Sequence, residues 1–133
     1  MDAEQHARGM RIRREVLGDD PVNRAVASTD AFTAGFQDLI TRYAWGDAWA
    51  RPGLDRKTRS VVTLAVLATL GCEEELGMHV GAALRNGLSR EEIAEVLLQV
   101  AVYAGVPRAN RAFAVAQAAL AATAGAAGED PTA

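Results

Sequence analysis

The stretch from Leu54 to Gly87 reads LDRKTRSVVTLAVLATLGCEEELGMHVGAALRNG, and it decides the fold of this chain. A basic start precedes an apolar run, and Gly71 separates that run from a segment with three glutamates and one histidine. The pattern predicts two helices that meet at Gly71, because glycine commonly ends a helix. In the second helix, Cys72, Glu75 and His79 follow one another at spacings of three and four, which places them on one face.

Helical spacing of apolar residues continues on both sides of this stretch. The remaining predicted helices cover residues 2–17, Pro21 to about Ala27, 30–44 with Ser28 or Thr29 as its cap, 89–104, and Pro107 to about Ala122. Ser89 and Glu92 form a capping box, which marks the start of the helix over 89–104. The run from Val61 to Leu70 is apolar on most sides, which predicts a centrally buried helix.

These elements predict an all-α fold, an antiparallel helical bundle of about six helices with short connections. No strand-and-turn pattern occurs in the sequence. The 133 residues suffice for one domain, which we assign to residues 1–123. Residues 124–133 read AGAAGEDPTA and are expected to form a disordered tail.

Composition and charge restrict the function. The net charge of -3 argues against nucleic acid as a partner, because phosphate binding needs a basic surface. The single cysteine excludes an intramolecular disulfide. No apolar run approaches the roughly 18 residues of a membrane span, and the charged start lacks the apolar core of a signal peptide. We therefore expect a soluble, cytoplasmic protein that does not bind membranes.

His79 is the first candidate for chemistry, because an imidazole titrates near neutral pH. Glu75 lies one turn before His79 and is expected to accept from one ring nitrogen and to raise the pKa of the imidazole. Glu74 is an alternative partner. The plainer interpretation is a histidine satisfied in a helix interface, with glutamates that complement the helix dipole.

Two other interpretations of this segment are weaker. Glu75 and His79 with Cys72 would offer three metal ligands, but no second histidine lies near, so we predict no metal site. Cys72 at a helix N-terminus would suit a reactive thiolate. Since the chain has no second cysteine to resolve a disulfide, a small apolar filler is the preferred interpretation.

Arginines cluster around the turn that precedes the apolar helix. Arg51, Arg56 and Arg59 are candidates for binding an anion, and the alternative is a solvated face with carboxylate partners. Trp45 and Trp49 flank Gly46-Asp47, and each carries an N–H donor beside a large apolar ring. Near another helix junction, Tyr103 and Asn110 could meet a polar ligand, although tyrosine at such a position is more often part of the core.

The sequence resembles the 4-carboxymuconolactone decarboxylase family. The resemblance rests on AWGDAWARPGLDRKTRS (44–60), EEELGMH (73–79), SREEIAEVLLQVAVYAGVPRANRAFAVA (89–116) and GMRIRREVLGD (9–19). It implies an all-α fold of the alkylhydroperoxidase-D type, assembled as a homo-oligomer, usually a trimer or a hexamer. It also implies decarboxylation of a lactone dicarboxylate, 4-carboxymuconolactone, to 3-oxoadipate enol-lactone in the β-ketoadipate pathway, without a cofactor.

The wider superfamily carries a Cys-x-x-Cys-x-x-x-His motif with a glutamate one helix earlier. Cys72 and His79 match its first cysteine and its histidine, whereas Glu75 replaces the second cysteine and Ser60 replaces the upstream glutamate. The peroxidase relay is therefore interrupted twice, which favours decarboxylation over peroxide chemistry.

The resemblance and the residues together assign roles. His79, held by Glu75 or Glu74, would deliver a proton as general acid. Arg51, Arg56 and Arg59 would bind the carboxylates, and the N–H of Trp45 or Trp49 would stabilise charge on the carbonyl oxygen. Tyr103 and Asn110 complete the predicted substrate-binding set. A thiol-dependent peroxidase, a relative acting on another lactone or keto acid, and a non-catalytic helical oligomer remain the competing hypotheses.

Overall fold

The computed structural model describes residues 2–127, and every regular element among them is helical, as the sequence predicts. The elements are α1 (Asp2–Leu17), α2 (Asp19–Ala27), α3 (Ala34–Ile40), a π-helix (Thr41–Ala48), α4 (Arg56–Leu70), α5 (Glu73–Arg85), α6 (Arg90–Ala104) and α7 (Val106–Ala127). The described residues form two compact units, which divide between Arg56 and Lys57. The single domain over residues 1–123 stays a prediction. Within residues 2–127, no helix combines the length and apolarity needed to cross a membrane.

In the first unit, α1 packs along the π-helix and also contacts α2. Gly18, with a φ of 88°, separates α1 from α2. Helix α2 begins at Asp19, two residues before the predicted start at Pro21. The proline is tolerated there because the N–H groups of a first helical turn have no partner within the helix.

The helix predicted over residues 30–44 is confirmed as an α-helix over Ala34–Ile40, but it starts later than predicted and becomes a π-helix from Thr41. The Asp30 carboxylate accepts from the backbone N–H groups of Phe32 and Thr33, which holds residues 30–33 in a turn before α3. From Thr41 onward the backbone widens into the π-helix. Ser28 is not the cap of this helix but the C-terminal cap of α2.

In the second unit, α4 to α7 share one apolar core, and α5 and α6 both pack against α7. The fully buried side chains of this core include Leu64, Leu76, Ile93 and Leu97. The predicted capping box is confirmed, because Ser89 Oγ accepts from Glu92 N at 3.0 Å and Glu92 Oε1 accepts from Ser89 N at 2.9 Å. These reciprocal bonds satisfy N–H groups that a helix start leaves unpaired.

The predicted central burial of α4 is wrong in the single chain. Its buried residues Ser60, Leu64 and Ala68 lie on one face. Val62, Val66 and Leu70 remain exposed on another, because the neighbouring helices cover only part of α4. An apolar composition on several sides therefore does not mean burial within one subunit.

Helix α7 continues to Ala127, beyond the end predicted near Ala122. Alanine has the highest helix propensity, so the alanine-rich sequence extends the helix. The predicted disordered tail 124–133 is therefore helical over residues 124–127, where Ala124 is buried. Its remaining residues, 128–133, lie outside the described part of the chain.

Candidate active site

Helix α5 carries His79, and Gly71 sets where that helix begins. Gly71 has a φ of 74°, a conformation that side-chain-bearing residues rarely adopt. The N–H of Cys72 donates to the carbonyl of Leu67 at 3.0 Å, which ends α4 and lets α5 start at Glu73. The second turn of α5 then places the His79 side chain in the interior, with 9% of its surface exposed.

The environment of His79 lowers the pKa of its imidazole from 6.5 to about 4. Desolvation by burial is the largest cause, since an interior site disfavours the charged form. The charge of Glu75 acts in the opposite direction and raises the pKa, as predicted. The net pKa is nevertheless lowered, because burial outweighs the carboxylate. His79 is therefore neutral at pH 7.

The three glutamates of α5 have different surroundings. Glu73 accepts hydrogen bonds from Arg111 of α7, and this bonding lowers the pKa of its carboxyl. Glu74 and Glu75 are exposed in the first helical turn, where negative charge is favourable. Of these, Glu75 is the carboxylate whose charge acts on the His79 imidazole.

Trp45 and Trp49 form a stacked pair in the first unit. Their ring centroids lie 5.3 Å apart with an interplanar angle of 23°. Trp45 is a buried residue of the π-helix, and half-buried Trp49 follows that helix directly. Helical segments of this kind are rare and are frequent at functional sites.

The three arginines predicted to bind the substrate lie in different surroundings. Exposed Arg51 approaches Asp47 at 3.8 Å. Arg56 donates to the Glu15 carboxylate of α1 at 2.7 Å. Arg59 is half-buried in α4, within the same unit as His79. The carboxylate partners of Arg51 and Arg56 match the plainer interpretation of a solvated, ion-paired face, and the substrate-binding role stays a prediction.

Tyr103 and Asn110 are both exposed in the second unit, on α6 and α7. Tyr103 exposes 83% of its surface, so the interpretation of this residue as part of the core is wrong for the single chain. The first unit thus holds Trp45, Trp49, Arg51 and Arg56, and the second holds Arg59, Glu74, Glu75, His79, Tyr103 and Asn110.

A polar pair in the second unit was not predicted. Asn86, at the end of α5, donates from Nδ2 to Ser60 Oγ of α4 at 2.9 Å. Ser60 is only 1% exposed, and a buried hydroxyl is stable there because it is hydrogen-bonded. The signal was a serine inside an otherwise apolar run, but its partner lies on another helix and has no local pattern.

Neither a metal site nor a dithiol site emerges from the residues described. Among residues 2–127, no three histidine, cysteine, aspartate or glutamate side chains are grouped closely enough to hold a metal ion. Cys72 is half-buried at the N-cap of α5, and the sequence contains no second cysteine.

Comparison with known proteins gives consistent matches. Residues 34–118 match the model of the carboxymuconolactone decarboxylase family. A 4-carboxymuconolactone decarboxylase of Acinetobacter baylyi is 45% identical over 116 residues, which cover 87% of each chain. Nitrosuccinic acid decarboxylase npaB of Metarhizium robertsii is 43% identical over 82% of this chain and 76% of its own.

A third match is a 4-carboxymuconolactone decarboxylase sequence of Pseudomonas putida. It is 46% identical over 48 residues, which are 35% of this chain and 100% of that sequence. The extent of the family match and the identity to the Acinetobacter protein settle the classification: the chain belongs to the carboxymuconolactone decarboxylase family.

Proposed function

We propose that this protein decarboxylates 4-carboxymuconolactone to 3-oxoadipate enol-lactone, a step of the β-ketoadipate pathway of aromatic degradation. The observation that carries the proposal is the 45% identity, over 87% of each chain, to a protein of that activity. The buried imidazole of His79 supports it, because the reaction needs a group that can transfer a proton in a site shielded from bulk water.

The substrate supplies most of the chemistry. It is an unsaturated lactone with one carboxylate on the ring carbon next to the ring oxygen and a second on an acetate arm. The carbon–carbon bond to the ring carboxylate breaks, CO2 leaves, and the electron pair passes through the double bond to the lactone carbonyl oxygen. The resulting conjugated oxyanion then takes up one proton at a ring carbon. Because the ring itself delocalises the electron pair, the proposal requires no cofactor to accept it.

His79 is the proposed proton donor, although it is neutral in the free protein. A dianionic substrate beside the imidazole favours the charged form and raises its pKa. Glu75 acts in the same direction. His79 therefore gains a proton as the substrate binds and delivers that proton to the ring carbon after CO2 has left. This order of events avoids a permanently charged, buried histidine in the resting enzyme.

The substrate-binding roles are proposed for Arg51, Arg56, Arg59, Trp45, Trp49, Tyr103 and Asn110. An arginine on the acetate arm holds the substrate equally in the ground and transition states. A firm grip on the departing carboxylate would instead stabilise the ground state and slow the reaction. An indole N–H aimed at the carbonyl oxygen stabilises the charge that develops there.

We also propose that the protein works as a homo-oligomer, a trimer or a hexamer. Apolar stripes at helical spacing support this, since monomeric proteins rarely expose large apolar patches. Val62, Val66 and Leu70 form the stripe on α4, and Leu98 and Val102 form a shorter stripe on α6. Exposed Tyr103 follows Val102 of the second stripe, and we propose that a neighbouring subunit completes its surroundings.

A second candidate substrate is nitrosuccinic acid. The Metarhizium robertsii relative, named as its decarboxylase, is nearly as similar to this chain as the Acinetobacter protein. Both substrates are small dicarboxylic acids that lose a carboxylate next to an electron-withdrawing group. The same arginines and the same proton donor would serve either compound.

The test compares three compounds with the purified oligomer. We expect rapid, chelator-insensitive loss of 4-carboxymuconolactone with an equimolar release of CO2, and a kcat/KM at least about tenfold lower for nitrosuccinic acid. A preference for nitrosuccinic acid would replace the first proposal with the second. Peroxide consumption that disappears in Cys72→Ser would instead indicate a thiol-dependent peroxidase.

The proposed location is the cytoplasm. Small secreted domains are commonly stabilised by disulfides, and this chain has one cysteine and no possibility of an internal bridge. Fractionation of cells that produce the tagged protein tests the location.

A further inference from the structure

We propose that Arg8 of α1 is a positioning residue for the Trp45–Trp49 pair, acting through the backbone of the π-helix. The inference rests on the proposed function, in which an indole N–H stabilises the carbonyl oxygen of the substrate. Arg8 is predicted to touch no reacting atom. It fixes the end of the helical segment that carries the two indoles.

Arg8 binds a backbone carbonyl near the end of the π-helix that none of the neighbouring loop N–H groups uses. The N–H of Trp49 donates to Ala44, that of Ala50 to Asp47, and that of Arg51 to Ala48. The carbonyl of Gly46 instead accepts from Arg8 Nε at 2.9 Å. A charge-assisted bond of this kind is stronger than one between neutral groups.

Further contacts from α1 fix the same segment. Gln5 donates from Nε2 to the carbonyl of Arg42 at 3.1 Å, one turn before the Gly46 contact. Arg13 is 7% exposed and donates to Thr41 Oγ1 at 3.3 Å, at the first residue of the π-helix. Donors from α1 therefore reach the first two residues of the π-helix, Thr41 and Arg42, as well as Gly46 near its C-terminal end.

The two backbones also approach too closely for any side chain. A Cβ atom on Gly9 would overlap the carbonyl oxygen of Thr41, and one on Gly46 would overlap the carbonyl of Gln5. This contact leaves the π-helix little freedom to move away from α1. The polar contacts then determine which carbonyls face α1. They therefore set how the π-helix is rotated about its own axis.

The geometry connects Arg8 to the indoles over a very short path. Arg8 binds the carbonyl of Gly46, and Trp45 directly precedes this glycine. Trp49 lies three residues after Gly46, and its ring stacks on that of Trp45. Without the Arg8 contact, the end of the segment can return to ordinary α-helical bonding, which rotates side chains relative to a π-helix. A shift of about 1 Å in a catalytic group can cost about 10²-fold in rate.

The experiment uses three full-length variants. Arg8→Met keeps an apolar stem but removes every N–H, Arg8→Lys retains a donor, and Arg11→Met is the matched control. Arg11 is an exposed arginine on α1 whose pairing with Glu15 is long, at 4.0 Å. The readouts are kcat/KM for 4-carboxymuconolactone per folded molecule and the exciton circular dichroism of the stacked tryptophans.

We expect Arg8→Met to lose most of the exciton signal and at least about tenfold in kcat/KM, mainly through kcat. Arg8→Lys should recover part of both quantities, and Arg11→Met should match the wild type in both. A purely structural role for Arg8 would lower the melting temperature but leave the exciton signal and kcat of the folded fraction unchanged, which overturns the inference.

Failure of the inference is separable from failure of the proposed function. A wild-type protein that does not turn over the lactone refutes the function, while the exciton signal still decides whether Arg8 positions the pair. An exciton signal lost in Arg8→Met with full activity retained refutes the positioning role in catalysis. If Arg8→Met does not fold, the comparison rests on Arg8→Lys, which carries a carbon atom in place of the Nε donor, and wild-type values of both readouts in that variant overturn the inference.

Discussion

Two opposing influences act on the pKa of His79, which burial lowers and the charge of Glu75 raises. Its spacing from Glu75 was visible in the sequence, and the predicted direction of the Glu75 effect on the pKa is confirmed. Burial, the larger influence, depends on side chains from other helices and cannot be counted from spacing. A local pattern therefore identified the pair and the direction of the Glu75 effect, but it did not determine the pKa of His79.

The first prediction concerns the imidazole itself. In a His6→Gln background, where His79 is the sole histidine, NMR titration should give a pKa near 4 for the folded protein. Replacing Glu75 by glutamine should lower that value further, because the carboxylate stabilises the charged form. Glu91→Gln, at an exposed position in the first turn of α6, is the control and should leave the pKa unchanged. A titration at or above 6.5 would contradict the account.

The second prediction is the effect of this shift on stability. The folded-state pKa lies below the unfolded value of 6.5, so the unfolded chain binds the proton more readily. The contribution to stability is therefore complete above pH ~6.5 and is lost as the pH falls towards 4, by about 3 kcal/mol. Urea denaturation should show that His79→Gln loses less stability than the wild type between pH 7 and pH 4. Equal losses of stability in both proteins would refute the assignment of this pH dependence to His79.

At the scale of elements, the features predicted correctly are those that neighbouring residues in the sequence determine. The capping box at Ser89 and the break at Gly71 are confirmed because their hydrogen bonds and backbone angles are set by nearby residues. The π-helix was missed because Gln5 and Arg8, which bind its carbonyls, lie more than 30 residues away, at separations of 37 and 38. The spacing of apolar residues within 30–44 carries no information about those distant donors.

The contact between α1 and the π-helix yields the third prediction. Gly9→Ala should destabilise the protein by about 3 kcal/mol or more, because the new methyl group would overlap the backbone of Thr41. Alanine is otherwise favoured over glycine in a helix by about 0.5–1 kcal/mol. Gly35→Ala, in α3 with nothing within 4 Å of the new atom, should therefore be neutral or stabilising. Chemical denaturation of both variants checks the contrast, and similar effects at the two sites would contradict it.

At the scale of the whole molecule, the exposed apolar side chains are the main departure from the expected bundle. Phe32 is 94% exposed in the single chain, and the predicted core helix α4 leaves part of its apolar face uncovered. A sequence shows that such residues avoid water but not whether they pack within a subunit or between subunits. For the same reason, the sequence named Tyr103 as a site residue without fixing the chain that completes its surroundings.

The fourth prediction concerns assembly. Sedimentation equilibrium should give three or six times the 14.0 kDa subunit mass. Val102→Glu, which adds a charge to the α6 stripe, should shift the distribution to smaller species because an unpaired charge is costly in an apolar interface. Gln99→Glu adds the same charge at an exposed polar position of α6 and should keep the assembly. A wild-type monomer would contradict the proposed oligomer.

The measurement that tests the central claim most directly is the turnover of 4-carboxymuconolactone, with CO2 release, by the wild type and His79→Ala. We predict equimolar CO2 and lactone loss for the wild type, and a kcat reduced about 10²-fold or more in His79→Ala, as expected for the loss of a general acid. His6→Ala, which removes a half-buried histidine of α1, should keep full activity. A His79→Ala enzyme within a few-fold of the wild type would contradict proton delivery by His79, even with the decarboxylase activity intact.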